Sequence, residues 1–351
     1  MLGEFKINFD RKENTFEYNE KKYAFGRLLG KGSFGDVFTV KGTDQFVIKV
    51  IQPKHERHKA SIQHEISITR QLNHPSVIHN FADQFNEDDN YYYILYERID
   101  GKTLDKYLNI INFELDDGIV TEAELLGLKL HFVFQMIKGI SHIHAMNITH
   151  RDIKPDNIMI GRDGSIKIID FGLSQKSHQC RGLLGTKIYG APEIFDSTQP
   201  QSDQLDMWAL GCTIYKLCLG HHPYASNRKL RFVKNSPDIS PTVYKGIRSL
   251  LRQSLQDTSN MYGYSDVIKL CAKMLQFDPD KRLTAEQSYE LLHYFKQKRL
   301  IMPDDRIHEI WDRILRLKDP SYQHPQQINL DSYFLSPDLN QIASIEPDDI
   351  D

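Results

Sequence analysis

Apolar residues follow two different spacings along this chain. Over the first hundred positions they come in short runs. Tyr23–Val40 reads as strand, glycine turn, strand, and Phe46–Val50, Phe81–Phe85 and Tyr91–Tyr96 are rich in aromatic and β-branched residues, the types that suit a pleated, half-buried surface. The polar stretch Asn86–Asn90 supplies a turn between the last two. A helical stretch from Glu56 to Leu72 stops at Asn73-His74-Pro75. Helical spacing dominates further on. Leu125, Leu128, Phe132, Met136 and Ile140 form one stripe of a helix predicted over Glu122–Ala145, and the stripe reads as core. His142 and His144, at its end, read as packed or surface histidines. Asn109–Thr121, before it, reads as a rather long loop. Asp203–Leu219 is apolar except for Asp206, a charge that needs partners once buried. Ile307, Ile310, Trp311, Ile314 and Leu315 share a face of a helix predicted over Asp305–Leu317. That face either packs on the rest of the chain or binds a partner in helix-in-groove fashion. Residues 1 to about 20 are polar with scattered aromatics (Phe5, Phe9, Phe16, Tyr18) and read as a short ordered extension.

Composition narrows the picture modestly. The 351 residues suffice for two modest lobes, at ~100–200 residues per domain. The formal net charge of −3 gives no reason to expect nucleic-acid binding. There is no apolar run of the ~18 residues a membrane helix needs, and the opening MLGEFKINFD has no signal-peptide core or myristoylation start. Four cysteines (Cys180, Cys212, Cys218, Cys271) lack metal-ligand spacing, so a reduced, cytoplasmic setting is expected, with the nucleus as the alternative. From Asp319 onward there is no Lys or Arg, a composition that suggests disorder or an acidic interaction tail.

The candidate chemistry is concentrated between His150 and Gly172, HRDIKPDNIMIGRDGSIKIIDFG. Two short β-like runs, Ile158–Ile160 and Ile166–Ile169, are joined by a turn at Arg162-Asp163-Gly164. Such a hairpin holds two loops side by side, one carrying Asp152, Lys154 and Asn157, the other Asp170. Upstream, Gly30-Lys31-Gly32-Ser33-Phe34-Gly35 is followed by Asp36-Val37 and continues as strand. Glycines there let backbone N–H groups approach phosphate oxygens. Lys49 lies in the apolar strand Phe46–Val50 and is costly to bury unpaired. Its expected partner is Glu65, although Glu56 is in the same helix.

HRD-x-K-x-x-N followed by DFG is a compound signature. With Ala191-Pro192-Glu193 further on, the chain resembles the protein kinase family from about Tyr23 to Lys298. Gly185-Thr186 and Tyr189 resemble its serine/threonine branch. The resemblance implies an α+β, bilobal fold: a small five-stranded antiparallel sheet with one main helix (23–97), a hinge (97–101) and a larger helical lobe (101–298). Residues 1–22 would be an extension and 299–351 a tail open to a regulatory partner. It further implies γ-phosphoryl transfer from ATP to protein serine or threonine by a monomer, needing Mg²⁺, or Mn²⁺ in its place, with no nucleic-acid or membrane partner. Catalytic roles then fall to Asp152 as proton acceptor, Lys154, Asn157, Lys49 and Thr186. Asn157 and Asp170 would hold the metal. Nucleotide binding would use Gly30, Lys31, Gly32, Ser33, Phe34, Gly35, Val37, Val47, Lys49, Glu65, Tyr96, Glu97, Ile99, Met159 and Asp170. Tyr96 looks like the residue behind the adenine. Asp206 is expected to anchor the backbone near His150 and Arg151, and Arg282 to pair with Glu193.

Some positions depart from the family pattern. Val47 stands where alanine is usual. Gly182 occupies the usual activating phosphothreonine position, so the loop orders without phosphate there, or Ser174 or Ser177 serves instead. Leu173 resembles enzymes that prefer serine. Asp156 with Thr103 implies a weak arginine preference upstream of the target. The basic residues Arg228, Lys229, Arg231, Lys234, Lys245, Arg248 and Arg252 read as a solvated face. A pseudokinase scaffold of the same fold is the rival reading, disfavoured by the intact Lys49, Glu65, Asp152, Asn157 and Asp170. A small-molecule kinase is a second rival, disfavoured by the APE motif.

Overall fold

The glycine-punctuated, β-branched first part of the chain folds as a sheet, and the remainder folds mainly as helices. In the computed structural model, residues 8–10, 13–32, 35–112, 120–176, 184–195, 201–223, 263–297, 302–319 and 321–322 are described, with isolated positions at 249, 251, 253 and 256. Ser33, Phe34, Ser177, Cys180, Gly182, the basic residues from Arg228 to Arg252, and the acidic tail beyond 322 lie outside the described residues.

The sheet contains seven strands rather than the five expected. They are β1 (Asn8–Asp10), β2 (Thr15–Tyr18), β3 (Lys21–Gly32), β4 (Gly35–Lys41), β5 (Phe46–Ile51), β6 (Asn80–Asn86) and β7 (Tyr91–Glu97), in the order β1-β2-β3-β4-β5-β7-β6. The extra two come from the amino-terminal extension, and the reason is side-chain packing. Strand β2 pairs with β3 from Thr15 opposite Ala24 to Tyr18 opposite Lys21. This register puts Phe16 on Tyr23, with ring centroids 5.4 Å apart, and Tyr18 edge-on to Phe46 at 5.7 Å. Val40, Phe46, Ile48, Ala82, Tyr93 and Leu95 join Phe16 and Tyr18 in a hydrophobic cluster separate from the larger main core. Aromatic cross-strand pairs of this kind stabilise a sheet beyond their buried area.

On the other face of the sheet lies α1 (Glu56–Thr69), with Ile62, Ile66 and Ile68 buried. Three short strands, β8 (Gly101–Thr103), β9 (Ile158–Gly161) and β10 (Ile166–Ile168), form a second antiparallel sheet in the order β10-β9-β8. The helices are α2 (Leu104–Ile111), α3 (Glu122–Ala145), α4 (Gln204–Leu219), α5 (Tyr264–Met274), α6 (Ala285–Gln297) and α7 (Asp304–Lys318). Helix α3 starts in a capping box, in which Thr121 accepts from Glu124 N–H and Glu124 accepts from Thr121 N–H, two otherwise orphaned donors satisfied at once. Its predicted stripe is buried. Helix α7 packs with Ile307, Ile310, Trp311, Ile314 and Leu315 fully covered, so the apolar face that could have served a partner is closed by the chain itself. Among the described residues, no helix is long and apolar enough to cross a membrane.

A pH dependence follows from the packing under α1. His74 stacks on His142, with centroids 5.1 Å apart, and accepts from Ser76 N–H at 3.0 Å. Burial, then the neighbouring His142, Lys138 and Lys167, push the His74 imidazole from 6.5 down to about 4. Its neutral form is favoured in the folded chain. The stability it contributes is therefore complete above pH 6.5 and is lost as the pH falls towards about 4. Urea unfolding midpoints should drop across that window, and the drop should be smaller in His74→Gln. An equal drop in both proteins would remove His74 from the explanation.

Candidate active site

The loop after α3 is fixed from below by one buried carboxylate. Asp206, on the first turn of α4, accepts from His150 N–H at 2.7 Å and from Arg151 N–H at 2.8 Å. His144, from the last turn of α3, lies 3.0 Å from the same carboxylate through Nε2. Burial raises the Asp206 carboxyl, but the His144 hydrogen bond and charge and the His150 contacts outweigh it, and the group sits below its usual range. The backbone partners are those expected. The part played by His144 is not, because a histidine at a helix end gives no sign of what lies across from it. Arg151 takes φ 70° and Asp170 φ 67°, left-handed conformations that cost L-residues energy and are held by these surroundings. His150 Nε2 meets Ile169 O at 3.0 Å and its ring packs 4.8 Å from Phe171, which joins the two functional loops.

Three residues converge on the Asp152 carboxylate. Lys154 Nζ donates to its Oδ2 at 2.7 Å and to Thr186 Oγ1 at 2.8 Å. Thr186 N–H donates to Oδ1 at 2.9 Å, and Asn157 Nδ2 donates to Oδ2 at 2.9 Å. Burial raises the Asp152 carboxyl, but the hydrogen bonds from Lys154 and Thr186 more than offset this and hold it below its ordinary value, so it is ionised at neutral pH and oriented. Thr186 reaches it because Gly185 precedes it at φ 90°, where an added Cβ would lie 2.5 Å from Arg151 O. No other residue type permits that approach. The dedicated amide donor leaves the Asn157 carbonyl oxygen for another partner. Asn157 and Asp170 together offer two hard oxygen ligands, which suits Mg²⁺, an ion bound through one or two protein groups plus phosphate oxygens. Among the described residues there is no larger metal-ligand cluster.

Across the cleft, Lys49 Nζ lies 2.8 Å from Glu65 Oε1, with both side chains mostly buried. Tyr96 OH lies 3.5 Å from the same oxygen, a contact that sequence reading missed. Glu56 does not serve as the partner; it stands on the exposed first turn of α1. Strands β3 and β4 pair as Gly30 with Val37, Lys31 with Asp36 and Gly32 with Gly35. Gly35 has φ 113°, and a Cβ there would press to 2.8 Å from Val50 O. Lys49 stands opposite Val37 on β4, and Val47 opposite Tyr96 on β7. Glu97 side-chain oxygens take Lys167 Nζ at 2.7 Å and His79 N–H at 2.8 Å. The Glu97 and Arg98 amides donate to His79 O and Gln45 O. Ile99 is partly buried against the main core. Met159 pairs with Thr103 across β8 and β9.

Two further expectations are resolved. Glu193 and Arg282 form a bidentate pair at 2.5 and 2.6 Å, almost fully buried. Ser174, offered as an alternative phosphosite, is 2% exposed and donates to His150 O at 3.2 Å. As folded, its hydroxyl is spent on holding the His150 backbone and is not open to modification.

The chain is similar to known protein kinases. A family profile described as "Protein kinase domain" matches residues 23–294. The chain is 28% identical over 304 residues to serine/threonine-protein kinase cds1 of Schizosaccharomyces pombe, covering 81% of this chain and 61% of that protein. It is 27% identical to CBL-interacting serine/threonine-protein kinase 18 of Arabidopsis thaliana, covering 82% and 52%. It is 30% identical to calcium-dependent protein kinase 4 of Plasmodium berghei, covering 78% and 49%. The chain thus spans less than two thirds of the length of these relatives.

Proposed function

Since the chain belongs to the protein kinase domain family, we propose that it is an active enzyme transferring the γ-phosphoryl group of ATP to serine or threonine hydroxyls of proteins. The observation that carries this reading is the convergence of Lys154, Thr186 and Asn157 on an ionised Asp152. Asp152 accepts the proton of the attacking hydroxyl. Lys154, bridging Asp152 and Thr186, supplies positive charge where negative charge develops on the transferring group. Asn157 and Asp170 would hold Mg²⁺, which when bound would supply positive charge beside the phosphate oxygens. Lys49, oriented by Glu65, contacts the non-transferred phosphates, and the backbone of Gly30, Lys31, Gly32 and Gly35 covers them. Such positioning and charge compensation account for most catalysis of phosphoryl transfer. The Glu97 and Arg98 amides are already engaged, so the adenine edge is read by the Glu97 carbonyl and the Ile99 amide, between Val47 above and Met159 below. Tyr96 closes the back of the pocket.

A pseudokinase would be expected to have lost part of this set, and none of Lys49, Glu65, Asp152, Asn157 or Asp170 is missing. Lys49→Met tests the reading. It should leave a cooperatively folding protein, although one less stable for the loss of Glu65's counter-charge, and lower turnover by at least ~10²-fold, the scale of a lost charge contact to a reacting phosphate. Unchanged turnover in a folded Lys49→Met protein would refute the assignment.

A further inference from the structure

Helix α7 and the residues just after it lie beyond the family match, yet they end on the hinge. We propose that they brace the hinge and the floor of the nucleotide site, with Asp319 and Trp311 as positioning residues for nucleotide binding. The inference rests on reading this cleft as the ATP site.

Three connections carry it. Trp311 is fully buried between Tyr107 and Phe132, with ring centroids at 5.1 and 5.5 Å, and its Nε1–H donates to Gly161 O at 3.0 Å. Gly161 is the β9 residue that pairs with Gly101, the first residue of β8. At Gly101 the strands press so closely that a Cβ would lie 1.9 Å from Ile160 O. One register step along this ladder Lys102 stands opposite Ile160, and two steps along Thr103 stands opposite Met159.

The second connection is Asp319. Its carboxylate is 2% exposed and accepts from Lys102 Nζ at 2.6 and 2.8 Å. The same group accepts from Ser321 N–H at 3.0 Å and Ser321 Oγ at 2.6 Å. Burial raises this carboxyl, but Lys102 and Ser321 more than offset it, and it stays below its usual range. A buried, fully bonded carboxylate therefore fixes a lysine that directly follows the hinge. Thirdly, Arg162 N–H donates to Asp100 O at 2.8 Å, while its guanidinium donates to Ser321 O at 3.2 Å and lies over the Tyr322 ring at 5.3 Å. Tyr322 in turn hydrogen-bonds Asp312 on α7. Asp100, Gly101 and Lys102 are thus each tied, directly or through one residue, to α7 and its continuation.

A hinge held in its bound shape lets the nucleotide bind without the cost of ordering it. Loosening the brace should therefore act on affinity rather than on the chemical step. The test uses the full chain with Asp319→Asn and Trp311→Phe, the second keeping the ring but removing its N–H. Arg306→Gln is the control, because it cuts the α7 contact to Glu124 (2.5 Å) at the opposite end of the helix. Calorimetric titration with ADP and Mg²⁺ should show Kd raised about 3- to 10-fold in both brace variants, the scale of couplings carried through packed networks. KM for ATP should rise in parallel, with kcat at saturating ATP within about twofold of wild type, the split expected when binding is lost equally from the ground and transition states. Arg306→Gln should lower the melting temperature and leave Kd unchanged. If all three variants melt earlier while binding ADP as wild type does, α7 is structural support only and the proposal falls. Wild-type protein that binds no nucleotide would instead overturn the kinase reading itself.

Discussion

Asp152→Asn will lower phosphoryl transfer by about 10²–10⁴-fold, the contribution of a positioned general base, while leaving nucleotide affinity and melting temperature near wild type. The substitution is nearly isosteric. The amide oxygen can still accept from Thr186 N–H or Lys154, so the loop keeps its shape, which is set chiefly by Asp206 beneath it. What disappears is a charged acceptor for the hydroxyl proton. Steady-state rates at saturating ATP and substrate, with Kd for ADP measured on the same protein, read this directly. A loss below about tenfold would mean that Asp152 orients other groups but takes no proton.

Glu193→Ala should have the largest effect on stability, about 3–5 kcal/mol, as expected when one partner of a buried ion pair is removed. The Arg282 guanidinium is wholly buried and donates to both Glu193 oxygens as well as to the carbonyls of Gln204, Gln276 and Phe277. It also lies over the Trp208 ring at 5.1 Å. Truncating Glu193 leaves that cation without a counter-charge in the interior, with α4 and the Ala191-Pro192-Glu193 segment both attached to it. Denaturant unfolding should show the loss. Adding Arg282→Met should recover part of it, since the double variant buries no uncompensated charge. Equal stability of the single and double variants would show that the carbonyls and Trp208 satisfy Arg282 without the acid.

Much of this site could be read from the sequence because its parts are close together in the chain or follow from burial. Asp152, Lys154 and Asn157 are near neighbours. Lys49 and Asp206 each place a charge in an apolar element, which makes a partner obligatory, and the structure supplies Glu65 and two backbone amides. Other parts depend on contacts that leave no local sign. His144 matters because α3 ends where α4 begins, 3.0 Å from Asp206. Tyr96 reads as one aromatic among several in β7 until its hydroxyl is seen beside Glu65. The amino-terminal aromatics fit a loose arm as well as a hairpin, and only the Phe16–Tyr23 and Tyr18–Phe46 packing decides for two extra strands. Asp319 opens a stretch rich in acids, and nothing local distinguishes it from the others. The apolar stripe of α7 was visible, but the surface covering it came from α2, α3 and β9, elements at least 140 residues earlier in the chain.

The most direct measurement is transfer of labelled γ-phosphate from ATP with Mg²⁺ to a basic protein substrate, followed by phosphoamino-acid analysis, with wild type and Asp152→Asn run side by side. Label on serine or threonine in the wild type, and its near-complete loss in the variant, is the expected result. Wild-type protein that binds nucleotide yet transfers no more label than the variant would contradict catalysis at this site and leave a binding module of the same fold.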